Sequence, residues 1–255
     1  MTASAALSLA GRRVLVTGSG QRLGRAVAEG IVDAGADVIL MAHESLEGAE
    51  LVAKRATSAG RLAAVIAADL SDRKDSDAAF ERVLIAAQEM GGFDAVVHAA
   101  ASFEKADFSQ TSESIWDRVL ELNLTAPFRI ARAFQPALSN SNAPGGGSIV
   151  LFSELSAFLP FPDHFAHTVA KGSIVSLTRA LARSLAPRIR VNAVAPGPVL
   201  PPETFSDEER TRAFERIPMI DAGGPDEVVR AVIYLLTAER VTGEVIRIDG
   251  GRGLR

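Results

Sequence analysis

Along nearly the whole chain, short runs of β-branched and aliphatic residues alternate with longer stretches that are apolar at every third or fourth position. The short runs fall at 14–16, 37–41, 63–67, 95–97, 147–152, 189–193 and 244–248. The longer ones fall at 23–35, 45–59, 72–90, 112–138, 164–186 and 225–237. Strands that are apolar throughout need cover on both faces, and a strand–helix–strand order makes neighbouring strands parallel. The pattern predicts an α/β fold, a doubly wound parallel sheet with helices on both faces. Such sheets bind ligands beyond the carboxyl ends of their strands. No internal repeat or long low-complexity linker divides the 255 residues, so one domain spanning 1–255 accommodates them. Residues 198–224, rich in Pro and charge, are the longest stretch without a strand and read as a flap over the site.

Composition removes several classes of function. The absence of Cys excludes a disulfide framework, thiolate metal sites and a Cys nucleophile. The His residues do not cluster as ligands do, so no metal is expected. A net charge of −4 argues against a nucleic-acid surface. No apolar run approaches the roughly 20 residues of a membrane span, and the first ten residues lack the basic start of a secretory signal. A cytoplasmic protein acting on a small molecule is the expectation.

The first strand stops at Thr17-Gly18-Ser19-Gly20, and Gly24 follows as the first helix begins. Glycines let backbone N–H groups approach a pyrophosphate, and a helix N-terminus favours its negative charge. Strand, turn and helix stand in the order that chemistry requires. A nucleotide site is therefore expected here, in preference to a turn whose glycines serve packing alone.

Thr17-Gly18-x-x-x-Arg22-Leu23-Gly24, Asp69-Leu70, Asn123, Lys171, the run Arg-Val-Asn-Ala-Val-Ala-Pro-Gly at 190–197 and Asp249-Gly-Gly251 together resemble the short-chain dehydrogenase/reductase family over residues 10–252. The resemblance implies a seven-stranded Rossmann fold, a nicotinamide nucleotide, and a homotetramer or homodimer with subunit faces on the helices at 112–138 and 164–186. It implies that Thr17, Gly18, Gly20, Arg22, Leu23, Gly24, Leu70, Ala100 and Lys171 line the cofactor. By the same resemblance Asp69 holds the adenine amino group and Pro196-Gly197 lie against the nicotinamide. Arg22 stands where the family usually has a second Gly and is similar to the pteridine reductases, as are Ser102-Phe103 and His43 with Ser45. That narrower likeness implies a flat ring stacked on Phe103, with His164 as a pocket wall.

An acid at the end of the second strand usually holds a ribose 2′-OH, whereas a 2′-phosphate wants cations there. This register puts Ala42 at that place. Arg22 can pair with the phosphate, and His43 and Ser45 can add donors. Glu44 opposes them. NADP(H) is the expected cofactor, with NAD(H) left open.

The reaction centre departs from the family. Where the family has a Tyr four residues before the helix Lys, this chain has His167; where it has a Ser thirteen residues further back, this chain has Glu154. The single Tyr, Tyr234, lies in an apolar helix and reads as core. Residues 98–101 are His-Ala-Ala-Ala where the family commonly has Asn-Asn-Ala-Gly, which removes polar groups beside the cofactor. Asn123 and Lys171 remain. Three readings compete. One is a reductase in which Glu154 and His167 share the acid role while Lys171 orients the ribose. Another is a nucleotide-binding sensor or scaffold with little redox turnover, and the third is reduction of an activated C=C or C=N bond that demands little acid. The first is preferred, because histidine titrates near pH ~6.5 and pteridine reductases carry an Asp at the place of Glu154. Pro201, Pro202, Phe205, Phe214, Ile217 and Met219 give the flap a lining suited to an apolar ring or a short acyl group.

Overall fold

Each of the seven apolar runs becomes a strand. The computed structural model describes residues 7–200, 206–214, 217–220 and 223–254. The order is β1 (Arg13–Thr17), α1 (Arg22–Asp33), β2 (Asp37–Ala42), α2 (Leu46–Ser58), β3 (Ala63–Ala67), α3 (Arg73–Glu89), β4 (Ala95–His98), α4 (Glu113–Leu120), α5 (Ala126–Leu138), β5 (Gly147–Phe152), α6 (Phe165–Leu185), β6 (Ile189–Pro196), α7 (Asp207–Phe214), α8 (Pro225–Thr237) and β7 (Val245–Ile248). The strands form one sheet in the order β3-β2-β1-β4-β5-β6-β7, and every neighbouring pair is parallel. The chain reverses its direction of travel between β1 and β4, which opens a crevice at their carboxyl ends.

Two apolar layers sandwich the sheet, as expected of strands apolar on both sides. One gathers Val14, Val16, Val38 and Val97 with Val27 and Ile31 of α1 and Val232 and Leu235 of α8. The other gathers Leu15, Ile39, Val96 and Leu151 with Phe80 of α3, Phe134 of α5 and Ile174 of α6. Side chains such as Ile31 and Phe134 are wholly buried, and each contributes about 1.5–3 kcal/mol relative to exposure.

The structure departs from the sequence pattern in three places. Residues 112–138 are not one regular helix: a π-helical turn at Glu121–Thr125 separates α4 from α5. Pro127 has no N–H to continue the ladder, and the Asn123 Nδ2 donates to the Val119 carbonyl at 3.0 Å, competing with the backbone for it. The flap contains a helix, α7, that its polar composition conceals. Tyr234 is 45% exposed rather than core, because α8 turns Val232, Leu235 and Leu236 inward and leaves it on the other face. Phe214 and Ile217 pack on the core beside Val199 and Val228, whereas Met219 is exposed. Pro201, Pro202 and Phe205 lie outside the described residues.

Candidate active site

The turn after β1 is crowded enough to dictate glycine. A Cβ on Gly18, which has φ +67°, would lie 2.8 Å from the Ala100 backbone, and one on Gly24 would lie 2.1 Å from the Gly18 carbonyl. Gly20 is pressed against the Ser45 carbonyl, so the loops after β1, β2 and β4 meet at one point. The Gln21 N-cap gives α1 no side-chain cap, and its first turn holds no acid. Its N-terminal dipole and amides thus meet no competing carboxylate, and the turn fits a nucleotide pyrophosphate. Leu23 packs on the core beneath the turn.

The other residues expected around a cofactor fall along the same sheet edge. Thr17 is wholly buried; its hydroxyl accepts from the Ala100 N–H at 3.3 Å and meets the His98 Nδ1 at 2.8 Å. Asp69 accepts from the Ser71 N–H and hydroxyl, and Leu70 is buried. Burial pushes the Asp69 carboxyl up, but the Ser71 bonds, the nearby His43 and the Asp72 N–H outweigh it and hold the group below its usual range. His43 is exposed. At the far end of the crevice Pro196 closes β6, and the Gly197 N–H donates to the Ile248 carbonyl at 2.7 Å. Arg22, expected near a 2′-phosphate, hydrogen-bonds the Leu200 carbonyl, at the root of the flap.

Glu154 follows β5, and His167 and Lys171 stand four residues apart on α6, hence on one face. The Ser153 hydroxyl donates to the Lys171 carbonyl at 2.8 Å, which fastens the end of β5 to α6. The result is an intimate pair, His167 Nε2 to Glu154 Oε2 at 2.5 Å. His167 Nδ1 lies 2.9 Å from the Ser102 carbonyl. A carbonyl only accepts, so Nδ1 carries a hydrogen. The remaining contact therefore holds one shared proton, as carboxylic acid with neutral imidazole or as carboxylate with imidazolium. Burial raises the Glu154 pKa; the His167 bond and charge, the Lys171 charge and the Ser156 hydroxyl outweigh it and hold the carboxyl below its usual range. The His167 side chain is 3% exposed and that of Glu154 27%, so Glu154 is the more open member.

Lys171 is buried and donates to the Phe152 carbonyl at 3.0 Å. Burial lowers its pKa to about 8, against the opposing pull of Glu154. Asn123, in the π turn, donates to the Ser102 hydroxyl at 2.9 Å and to the Ser102 carbonyl at 3.3 Å, so Ser102 links the helix bulge to the His167 ring. Phe103 stacks on His164 at 4.0 Å and meets His167 edge-on at 4.9 Å. Phe103 itself is 44% exposed.

Two partners of this cluster escape the sequence. Ser102 acts through its backbone carbonyl, which no residue pattern announces. His98 is a buried polar group tied to Thr17 and not simply a polar group lost; burial and the Lys171 charge lower its pKa to about 3, so it stays neutral. Among the described residues no group of three or more His, Asp or Glu side chains stands ready for a metal ion, and no helix is long and apolar enough to cross a membrane.

A family profile described as enoyl-(acyl carrier protein) reductase matches residues 18–252. The 3beta-hydroxysteroid dehydrogenase 1 of Eggerthella lenta is 35% identical to this chain, over 96% of it and 95% of the relative. The 3-oxoacyl-(acyl-carrier-protein) reductase FabG of Aquifex aeolicus is 33% identical over 96% and 98% of the two chains. Among solved structures, FolM alternative dihydrofolate reductase 1 from Brucella canis, complexed with NADP, is 32% identical and superposes with a TM-score of 0.88, over 98% of this chain and 97% of that one. The motifs at 17–24, 123, 171 and 190–197, the seven-stranded parallel sheet and these relatives converge: the chain belongs to the short-chain dehydrogenase/reductase family.

Proposed function

We propose that the protein is an NADP(H)-dependent reductase of a carbonyl or imine in a small cyclic or short acyl substrate, with Glu154 and His167 as its proton source. The observation that carries this reading is the 2.5 Å Glu154–His167 contact whose tautomer the Ser102 carbonyl fixes. The nicotinamide nucleotide supplies a hydride when bound. This chain's residues must then hold the nucleotide, exclude water and deliver one proton to the atom that becomes basic. Gly18, Gly20 and Gly24 with the α1 N-terminus cradle its phosphates, Lys171 orients the ribose, and Asn123 belongs with the catalytic group, which it joins through Ser102. With the Glu154 carboxyl held below its usual range, the shared proton rests on the His167 side of the buried contact, and Glu154, the more open member, relays it to the substrate. A placed acid of this kind contributes about 10²–10⁴-fold.

NADP(H) is favoured over NAD(H) because Ala42 gives no acid for a 2′-OH, whereas His43 and Ser45 offer donors. The NADP complex of the FolM relative supports this choice. His164 covers one face of Phe103, and the open part of that ring suits a flat substrate such as a reduced pterin. The flap that carries α7 closes over it as part of a single domain. The active form is read as a homotetramer or homodimer built on α4, α5 and α6, and a monomeric mass by light scattering would remove that part.

The direct test measures NADPH and NADH binding, then cofactor oxidation with dihydrobiopterin, a quinone, a diketone and an acetoacetyl thioester. Tighter binding of NADPH and turnover with one of the four are expected. Tighter NADH binding would reverse the cofactor assignment. Tight NADPH binding with no turnover, followed by turnover only in a Glu154→Ser/His167→Tyr double variant, would make the natural protein a nucleotide binder.

A further inference from the structure

Arg22 is held where an arginine is costly. Its φ of +50° is in the left-handed region, which glycine enters freely and side-chain-bearing residues enter at a cost. A strained non-glycine residue persists where its side chain is needed and its surroundings over-determine it. What that side chain does is visible: its Nη2 donates to the Leu200 carbonyl at 2.5 Å, joining segments 178 residues apart in the chain. One of these segments is the glycine turn at the start of α1. The other is the root of the flap, where Val199 is buried and its N–H donates to the Gly197 carbonyl at 2.8 Å. Beyond the flap's middle, Phe214 and Ile217 pack on the same core cluster as Val199, so the root and the α7 end share one support.

A guanidinium presents five N–H donors in a planar fork, so one edge can keep the Leu200 carbonyl while the other takes a phosphate oxygen. Lysine, a single flexible point charge, does not offer that fork. We propose that Arg22 is a positioning residue that couples nucleotide binding at the glycine turn to the ordering of the flap root and α7. The inference rests on the reading that the turn receives the nucleotide's phosphates, and it adds a consequence that reading lacks. Phosphate seated at the turn fixes Arg22, Arg22 fixes Leu200, and the substrate side of the crevice is shaped only after the nucleotide is in place. Coupling of this kind is reciprocal, so whatever closes the flap tightens the nucleotide by the same factor.

The test is amide hydrogen exchange read by mass spectrometry, with NADP+ as the probe, on the intact protein and its Arg22→Gly and Arg22→Lys variants. Titration first fixes saturating NADP+ for each. In the natural protein NADP+ should slow exchange in peptides covering 197–200 and 207–214 by roughly 5–150-fold, the usual range of coupling between two sites. Arg22→Gly should keep protection at 18–33 when saturated but lose it at 197–200 and 207–214, and Arg22→Lys should fall between. Thermal unfolding of the variants checks folding, and Arg22→Gly, freed of its strained backbone, should be no less stable. Equal flap protection in saturated Arg22→Gly would overturn the coupling, as would a natural protein that binds NADP+ without slowing at 207–214. A natural protein that fails to bind NADP+ in the titration would remove the nucleotide reading and the coupling with it; the binding curve tells that failure apart from the others.

Discussion

Glu154→Gln separates the geometry of the reactive pair from its proton. The carboxamide matches the carboxylate in size, and its NH2 can donate to the His167 Nε2, because the Ser102 carbonyl keeps the imidazole hydrogen on Nδ1. The Ser156 hydroxyl, a 3.0 Å donor to Glu154, can turn and accept instead. A charge-assisted bond becomes a neutral one, a difference of about 1 kcal/mol in stability. Catalysis should suffer far more, since the contact loses its transferable proton. With a placed acid contributing about 10²–10⁴-fold, kcat should fall by that factor, which is about 2.7–5.4 kcal/mol of barrier at 1.36 kcal/mol per decade. The assay is single-turnover oxidation of NADPH, with a substrate from the panel that the natural protein turns over, followed from pH 5 to 9. The natural protein should slow as pH rises through the apparent pKa of the pair, and the variant should be slow throughout with that dependence gone. Natural kcat and natural pH dependence in Glu154→Gln would refute the assignment of the pair as acid.

His98 should make the fold acid-sensitive. Its pKa is about 3 when folded against 6.5 free, so below pH 6.5 the unfolded chain binds a proton that the fold refuses, and at 1.36 kcal/mol per unit about 5 kcal/mol is lost by pH 3. His98→Asn should lose less stability between pH 7 and pH 4 in urea titrations, and parallel losses in the two proteins would contradict this. Lys171 works at the other end: with a pKa of about 8 folded and 10.5 free, only the unfolded chain holds the proton between those values. Stability should therefore climb by up to ~3 kcal/mol from pH 8 to 10.5, and Lys171→Met should show no such climb in urea unfolding at pH 8, 9 and 10. Arg22→Gly should raise thermal stability by about 1 kcal/mol, the left-handed backbone cost, which is roughly 2–4 °C in a chain of this size; a lower melting point would mean that the Leu200 bond outweighs the strain. Gly24→Ala puts a Cβ 2.1 Å from the Gly18 carbonyl, and forcing the turn apart should abolish NADPH binding at a cost of about 1–3 kcal/mol in stability; calorimetric binding at natural affinity would count against the turn as phosphate cradle.

The sheet was legible because its signal is periodic and cooperative. Val14 to Val16 and Ile149 to Leu151 are apolar on both faces, and no exposed strand reads that way. The glycine turn was legible for a related reason: only glycine survives where a Cβ would meet a carbonyl at 2.1 Å. The π turn at Glu121–Thr125 was not, because its helical periodicity is intact and the departure comes from one proline and one amide competing for backbone partners. Tyr234 was misplaced by its apolar neighbours, since a helix apolar over most of its circumference hides which residue faces out. α7 was invisible because a polar surface helix has no stripe to read.

The site divides along the same line. Asn123, Glu154, His167 and Lys171 could be grouped from the family resemblance; spacing alone puts only His167 and Lys171 on one face of α6, which the end of β5 abuts. Their chemistry could not, because it depends on a main-chain atom. If the Ser102 carbonyl did not face Nδ1, His167 could hold its hydrogen on either nitrogen, and the contact with Glu154 would not fix where the proton lies. With the carbonyl there, Nδ1 is committed as a donor, and the only proton free to move lies between Nε2 and the carboxyl. A Tyr phenol gives up a proton because a neighbouring Lys lowers its pKa. This pair has its proton defined by hydrogen-bond topology instead, with Lys171 acting on the carboxyl through its charge alone. On the reading that His167 and Glu154 take the places of the family's Tyr and Ser, the exchange makes chemical sense only as a concerted change, since either residue alone would leave a buried polar group facing an unsuited partner.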